Sequence, residues 1–243
     1  TGPTGSGKTT TLYSALMTVN SPNINVMTVE DPIEYVIPTI RQTAVNPKAG
    51  LSFGNALRSA MRQDPDIILV GEIRDTETAD LALRASMTGH LVFSTLHTND
   101  AASAINRLLD LGVNKSILAS SLSMVIAQRL VRKICTNCCE YAAPTEQQVD
   151  VFQQHGITPP ERLVVPVGCD SCYQAGYRGR TGIYEVIRMD REIQSLIFAD
   201  ALHSTIEEAA MNAGTSLMLQ QALKKAAAGI TSFEEVYRVV ADA

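Results

Sequence analysis

Short apolar segments alternate with amphipathic ones along the first half of the chain. The apolar segments read NVMTV at 25–29, IRQTAVN at 40–46, DIILV at 66–70 and HLVFSTLHT at 90–98. Between and after them, apolar residues recur with helical spacing at 9–19, 52–62, 76–87, 100–111 and 116–131. Short apolar strands that alternate with helices predict an α/β fold whose sheet is covered on both faces.

The pattern changes after residue 131. Cysteines, prolines and short segments come first, followed by RGRTGIYEVIRM at 178–189, which predicts a hairpin or short strands. Four short helical stretches follow, and the last one ends in SFEEVYRVVA. We therefore predict a core at 1–131, a cysteine-bearing insertion at 132–178 and a mostly helical subdomain at 179–243.

Composition narrows the class of protein. Of the 243 residues, 45% are hydrophobic and 19% are charged, which is typical of a soluble globular protein with a core of its own. No apolar run approaches the roughly eighteen residues that cross a bilayer, and no signal peptide opens the chain, so we expect no membrane insertion. The net charge of −5 argues against a dedicated nucleic-acid binder, although a local basic patch stays open.

Residues 2–9, GPTGSGKT, match the phosphate-loop pattern G-x-x-x-x-G-K-[ST] in full, against the alternative of a glycine-rich turn that matches by chance. The glycines let backbone N–H groups turn toward phosphate oxygens at the start of a helix. Lys8 is expected to reach the β- and γ-phosphates, and the Thr9 hydroxyl to hold Mg²⁺. The residues predicted to bind the nucleotide are Gly2, Pro3, Thr4, Gly5, Ser6, Gly7, Lys8, Thr9 and Thr10. Because such a loop normally follows a buried strand, we expect the chain to be the C-terminal part of a longer protein.

Two groups of acidic residues follow apolar strands. Glu72 comes after DIILVG, and Glu30, Asp31 and Glu34 follow NVMTV. Ligands of open α/β sheets bind at the carboxyl ends of strands, so we expect both groups near the phosphates. One carboxylate there holds Mg²⁺ or its water, for which Glu72 is the candidate, and another orients or deprotonates the attacking water. The alternative, solvated loop residues or helix caps, applies above all to Asp31 and Glu34.

His90 and His97 flank the strand LVFSTL. A separation of seven residues along a regular strand places them on opposite faces and at its two ends. His97, at the carboxyl end together with Thr95, is the candidate for contacting the γ-phosphate, whereas His90 fits a structural role.

The five cysteines are confined to two places. Cys135 and Cys138 have C-x2-C spacing, as do Cys169 and Cys172, and Cys139 is left over. Two such pairs predict one Zn²⁺ held by four thiolates, a structural site with no open position for water. An iron–sulfur cluster or inert thiols are the alternatives. The metal would staple an insertion that is too small to hold itself together by burial alone.

Four boxes, in order along the chain, resemble those of the secretion-ATPase superfamily, which powers type II secretion and type IV pilus assembly. They are GPTGSGKTTTLYSAL, a phosphate loop; TVEDPIEY, similar to the family's aspartate box; LRSAMRQDPDIILVGEIRDTETADLALRASMTGHLV, which contains its Walker B region; and GHLVFSTLHTNDA, its histidine box. The resemblance continues through GYRGRTGIYEV to the last helix. It implies a RecA-like P-loop NTPase core with a zinc-stapled four-cysteine insertion and a C-terminal helical subdomain.

The resemblance also implies roles for single residues. Glu30 matches the family's catalytic base, Glu72 the residue that acts on Mg²⁺, and His97 the sensor of the γ-phosphate. Arginines near the boxes complete the site in a ring, because a cation stabilises the charge that develops during phosphoryl transfer. The candidates are Arg41, Arg58, Arg62 and Arg74, of which Arg62 and Arg74 join the predicted catalytic set.

The function implied is that of a cytoplasmic homohexamer that hydrolyses ATP with Mg²⁺. It would act through inner-membrane platform and cytoplasmic-domain proteins of a secretion or pilus machine. In this family the four-cysteine insertion is typical of assembly and secretion ATPases and absent from retraction ATPases. Alternatives from other classes are a DNA-translocating or helicase-like ring, a small-molecule kinase and an inactive structural ring. The acidic net charge argues against the DNA-binding ring. The long aspartate and histidine boxes have no role in a small-molecule kinase. An inactive ring would not need the catalytic set, which is intact: Lys8, Thr9, Glu30 and Glu72.

Overall fold

The computed structural model describes residues 1–240. The helices are α1 (Lys8–Val19), α2 (Phe53–Ala60), α3 (Thr76–Met87), α4 (Ala101–Asp110), α5 (Lys115–Ser121), α6 (Glu146–Gln154), α7 (Arg191–Phe198), α8 (His203–Asn212), α9 (Met218–Ala227) and α10 (Phe233–Val240). The strands are β1 (Val26–Glu30), β2 (Arg41–Ala44), β3 (Ile67–Val70), β4 (Leu91–Ser94), β5 (Met124–Ile134), β6 (Glu140–Ala142), β7 (Leu163–Val165) and β8 (Tyr177–Arg188). Short 3-10 helices lie at Pro47–Ala49 and Asp170–Cys172.

The first four strands form a parallel sheet in the order β2-β1-β3-β4. The central strands β1 and β3 are buried along their whole length. Side chains alternate between the two faces of β3, so Ile67 and Leu69 pack against α1, whereas Ile68 and Val70 pack against α2 and α3. The predicted α/β fold, with helices on both faces of the sheet, is therefore confirmed.

Helix starts that border the sheet are fixed by side-chain caps. Asp75 precedes α3 and accepts a hydrogen bond from the backbone N–H of Thr78 at 2.8 Å. Asp100 precedes α4 and accepts one from the N–H of Ser103 at 2.7 Å. These caps satisfy N–H groups that a helix start leaves without partners. Within residues 1–240, no helix combines the length and the apolar character that crossing a membrane requires.

The predicted helix at 116–131 is wrong in its second half. α5 ends at Ser121, and β5 then pairs antiparallel with β8, which is one long strand where a hairpin or short strands were predicted. Along β5, Val125 and Ala127 are buried while Ile126 is exposed, which is the periodicity of a strand. The segment is apolar at both helical and strand spacing, and the pairing with β8 decides between them.

The predicted boundaries at 131 and 178 fall inside β5 and β8. One hydrophobic core also contains residues from all three predicted domains, including Ile105 of α4, Phe152 of α6 and Val236 of α10. The predicted helical stretches near the C-terminus are present as α7 to α10, except that residues 241–243 lie outside the described residues. The division into three domains stays a prediction.

Glu235 joins the last helix to the β5–β8 pair. Its carboxylate is buried and accepts hydrogen bonds from the guanidinium of Arg132 at 2.7 and 2.9 Å and from that of Arg238 at 2.6 Å. The backbone N–H of Arg132 donates to the same carboxylate at 2.9 Å. Arg132 also lies 4.1 Å from the ring centroid of Tyr177 on β8. One charged network thus connects α10, β5 and β8.

Glu235→Gln should lower the free energy of unfolding by about 2 kcal/mol, because two partly exposed arginines lose charged hydrogen bonds to a buried carboxylate. Burial alone would raise the pKa of Glu235, but hydrogen bonds from Arg238 and Arg132 outweigh it and lower the pKa to about 2 from a usual 4.5. Since the folded-state pKa is lowered, this stabilisation is present above pH 4.5 and is lost as pH falls toward 2. Urea unfolding at neutral and acidic pH measures both effects. The exposed neighbour provides the control Glu234→Gln, and equal losses in the two variants would contradict the prediction.

Candidate active site

The phosphate loop opens directly into α1. Gly7, the last residue before the helix, has a φ of 86°, a left-handed conformation that favours glycine. The Nζ of Lys8 donates to the carbonyl oxygens of Gly2 at 2.6 Å and Pro3 at 3.1 Å. Burial lowers the pKa of Lys8, and the charge of nearby Glu72 partly offsets this. The helix N-terminus and Lys8 together form an anion-binding arrangement.

A cleft of about 580 Å³ lies beside this loop, at the carboxyl ends of β1, β3 and β4. Its lining includes Thr4, Gly5, Ser6, Gly7, Lys8, Thr9 and Thr10 of the loop, the acids Glu30, Asp31, Glu34 and Glu72, and Arg74, Thr95, His97 and Arg180. The structure therefore brings the loop, both acidic groups and His97 together. The predicted residues Gly2 and Pro3 are not part of this lining, and their carbonyl oxygens accept hydrogen bonds from Nζ of Lys8.

Glu72 occupies the end of β3. A Cβ on the preceding Gly71 would lie 3.2 Å from the carbonyl oxygen of Val29, so glycine allows the ends of β3 and β1 to approach closely. The carboxylate of Glu72 forms an ion pair with Arg74 at 2.6 Å and lies 3.4 Å from Nε2 of His97. The hydrogen bond to Glu72 raises the pKa of Arg74. Glu72 and the Thr9 hydroxyl both line the cleft and offer oxygen ligands of the kind that Mg²⁺ takes.

Glu30, at the end of β1, is buried with 3% of its surface exposed. The hydroxyls of Tyr13 and Thr28 donate to its carboxylate, the latter at 2.5 Å, and Nε2 of Gln42 donates at 3.2 Å. Burial, and then the bond to Glu30, raise the pKa of Tyr13. These donors hold the carboxylate in one orientation at the edge of the cleft, while Asp31 and Glu34 are exposed.

The two histidines are separated as predicted. His97 lines the cleft beyond the end of β4, and Thr95 beside it donates to the carbonyl oxygen of Gly71 at 2.7 Å. His90 precedes β4, and its Nδ1 lies 2.8 Å from the carbonyl oxygen of Ala85 at the end of α3. His90 therefore has a local structural contact away from the cleft.

Arg74 is the predicted arginine that lines the cleft. Arg58 forms an exposed ion pair with Glu77 at 2.6 Å, and Arg41 and Arg62 are exposed. Among the described residues these three are not part of the cleft lining, so their role in a ring stays a prediction. Arg180 of β8 lines the cleft and was not singled out from the sequence. Its signal was the segment GYRGRTGIYEV, which carried the resemblance without an assigned role.

Four cysteines form a separate candidate metal site. The Sγ atoms of Cys135, Cys138, Cys169 and Cys172 all lie within 4.8 Å of one another. Neighbouring Sγ atoms are 3.7 to 3.9 Å apart, close to the ~3.8 Å edge of a tetrahedron with Zn–S bonds of ~2.3 Å. The backbone N–H groups of Cys169 and Gly176 donate to Sγ of Cys172 at 3.2 and 3.3 Å, which favours its thiolate form. The cluster contains Cys138 and not Cys139, and these donors fit a thiolate site for zinc.

Comparisons with known proteins agree along the chain. The family model described as Type II/IV secretion system protein matches residues 1–238. Type II secretion system protein E of Dickeya dadantii (strain 3937) is 48% identical over 247 residues, covering 98% of this chain and 47% of that protein. The type IV pilus assembly ATPase TfpB of Acinetobacter baylyi (strain ATCC 33305 / BD413 / ADP1) is 47% identical over 241 residues, covering 99% of this chain and 41% of that protein. The chain thus spans less than half the length of these relatives.

The fold has a counterpart among solved structures. The crystal structure of the pilus retraction motor PilT with bound ADP superimposes with a TM-score of 0.71 at 32% sequence identity. The match covers 98% of this chain and 59% of that one. The sequence comparisons and the structural comparison therefore both relate the chain to proteins of secretion and pilus systems.

Proposed function

Because the chain belongs to the family of type II/IV secretion system proteins, we propose that it is the ATP-hydrolysing part of a motor that assembles a pilus or a type II secretion pseudopilus. The observation that carries the proposal is the convergence of Lys8, Glu30, Glu72 and His97 on one cleft beside a complete phosphate loop. The names of the two relatives, a secretion protein and a pilus assembly ATPase, support a role in a secretion or pilus machine. They give no such support to a DNA-translocating ring.

In the proposed mechanism, backbone N–H groups of the loop and Lys8 bind the β- and γ-phosphates of ATP. Thr9 and Glu72 would hold Mg²⁺, which would supply positive charge to offset that of the transferred phosphoryl group. Glu30 accepts a proton from the attacking water, from an orientation fixed by its hydrogen-bond donors. His97 lies next to the γ-phosphate and senses whether it is bound. An arginine side chain stabilises the negative charge that develops during phosphoryl transfer.

The proposal extends to the assembly. The protein acts as a homohexamer on the cytoplasmic side of the inner membrane, docked on platform and cytoplasmic-domain proteins of the machine. Arg62 and Arg74 complete the sites of the ring. The four-cysteine cluster would hold Zn²⁺. By the family resemblance such an insertion is typical of assembly and secretion ATPases, so we favour these over a retraction motor. The phosphate-loop lysine is the residue through which the whole proposal can be tested.

Lys8→Ala in the gene of the source bacterium should abolish the output of the motor, because the cation that faces the β- and γ-phosphates is lost. Surface pili and exported proteins are scored in the same cultures. Loss of pili alone indicates a pilus-assembly motor, and loss of export alone a type II secretion motor. Lys48→Ala, at an exposed lysine of the 3-10 helix after β2, is the control. If Lys8→Ala changes neither output, the motor proposal is wrong.

A further inference from the structure

Gln128, on β5, contacts the chain on both sides of the phosphate loop. Its side chain is buried, with 4% of the residue surface exposed. Its Nε2 donates to the carbonyl oxygen of Ser6 at 2.8 Å, and its Oε1 accepts from the hydroxyl of Thr11 at 2.8 Å. Its backbone N–H donates to the carbonyl oxygen of Thr1 at 2.9 Å. A single residue of β5 thus binds the chain before, within and after the loop.

The bond to Ser6 fixes the orientation of one loop peptide. In a trans peptide, the C=O of one residue and the N–H of the next point in opposite directions. Because Gln128 holds the Ser6 carbonyl, the N–H of Gly7 points away from this hydrogen bond, and both Gly7 and Lys8 line the cleft. A backbone N–H directed in this way is a phosphate-binding donor.

Gly2 and Gly7 of the loop lie so close to β5 that a side chain at either position would contact Gln128. A Cβ added to Gly2 would lie 2.4 Å from the carbonyl oxygen of Gln128, and one added to Gly7 would lie 2.9 Å from its Nε2. Both distances are shorter than Cβ contacts in proteins, so the loop and β5 are packed without intervening space. The loop is therefore in close contact with the backbone of residue 128 at Gly2 and with its side chain at Gly7.

We propose that Gln128 is a positioning residue of the nucleotide site, which holds the phosphate loop in the conformation that binds phosphate. The inference rests on the proposed function, since it requires that the loop binds ATP. Glutamine suits the role because its amide is both donor and acceptor. Leucine at this position offers neither, and glutamate keeps the acceptor for Thr11 but sets a carboxylate against the Ser6 carbonyl.

Gln128→Leu in the purified protein should weaken ATP binding about tenfold, because two hydrogen bonds that hold the loop are lost. KM should rise by a similar factor with kcat nearly unchanged, since the loop contacts the phosphates equally in ground and transition state. Gln128→Glu, which is of the same size, should show the same loss and covers the case that the leucine variant does not fold. In a double-variant cycle, Thr11→Val added to Gln128→Leu should cause no further loss, because the two side chains act as a pair.

The matched control is Gln220→Leu. Gln220 also uses its amide oxygen to accept a backbone N–H, that of Leu217, at the start of α9. This variant should keep the parent's ATP affinity and KM. The proposal is overturned if Gln128→Leu and Gln128→Glu bind ATP like the parent and only melt at a lower temperature, or if the control loses as much affinity. A parent that does not bind ATP would overturn the proposed function itself, and that result is distinct because it appears before any variant is compared.

Discussion

Glu72→Gln should bind ATP about as tightly as the parent and hydrolyse it with a kcat about 10²- to 10³-fold lower. Glutamine keeps the size of the side chain but removes the charge that holds Mg²⁺ or its water beside the γ-phosphate. The Glu72 side chain is only 12% exposed, so water replaces that charge poorly. The effect should therefore fall on the chemical step, because the phosphate loop that binds the nucleotide is unchanged.

Equilibrium titration with ATP and steady-state hydrolysis on the same preparations separate the two effects. Glu77→Gln is the matched control, because Glu77 is 54% exposed and pairs with Arg58 outside the cleft. That variant should hydrolyse ATP at the parent rate, as expected for an exposed ion pair. If Glu72→Gln also hydrolyses ATP at the parent rate, Glu72 does not have the assigned role and the site must be located elsewhere.

Changing Cys135 and Cys169 to serine together should release zinc and loosen the insertion between β5 and β8. Four Sγ atoms converge in this cluster, and two are too few for a closed tetrahedral site. Metal content should fall from one equivalent of Zn²⁺ to nearly none. Since metal binding and folding are coupled in units this small, β6, β7 and α6 should lose protection against hydrogen exchange.

The same variant should keep its affinity for ATP, because the cleft lining contains none of the four cysteines. Cys139→Ser is the control and should retain its zinc, since Cys139 is outside the cluster. Metal analysis and hydrogen exchange measure the two parts of the prediction. Zinc still bound at one equivalent in the double variant would show that the cluster is not the metal site.

The residues that the sequence located best are those whose chemistry lies in one short segment. The phosphate loop carries its glycines directly before α1, and Lys8 and Thr9 are the first two residues of that helix. Glu30 and Glu72 each follow a buried apolar strand, and parallel strands end at the same edge of a sheet. For such residues, local pattern and general sheet geometry are sufficient to predict that they converge.

Residues that depend on contacts between distant segments were not found. The segment of β5 fits helix and strand spacing, and only its pairing with β8 favours the strand. Because the sequence predicted a helix at 116–131, Gln128 was one polar residue on that helix. Its contacts with Ser6 and Thr11 could not be predicted. Arg180 enters the cleft because β8 pairs with β5 beside the loop. Single-sequence periodicity carries no information on such pairings.

The contact between Ser6 and Gln128 also sets the order in which the protein can mature. The two residues are 122 positions apart, so the loop lacks this contact until β5 has left the ribosome. At about 5–20 residues per second, that interval is on the order of ten seconds. Closing so long a segment also requires chain entropy to be lost before the contact forms. If Gln128 positions the loop as proposed, a nascent chain carries the complete phosphate-loop motif before it can bind ATP as tightly as the finished chain.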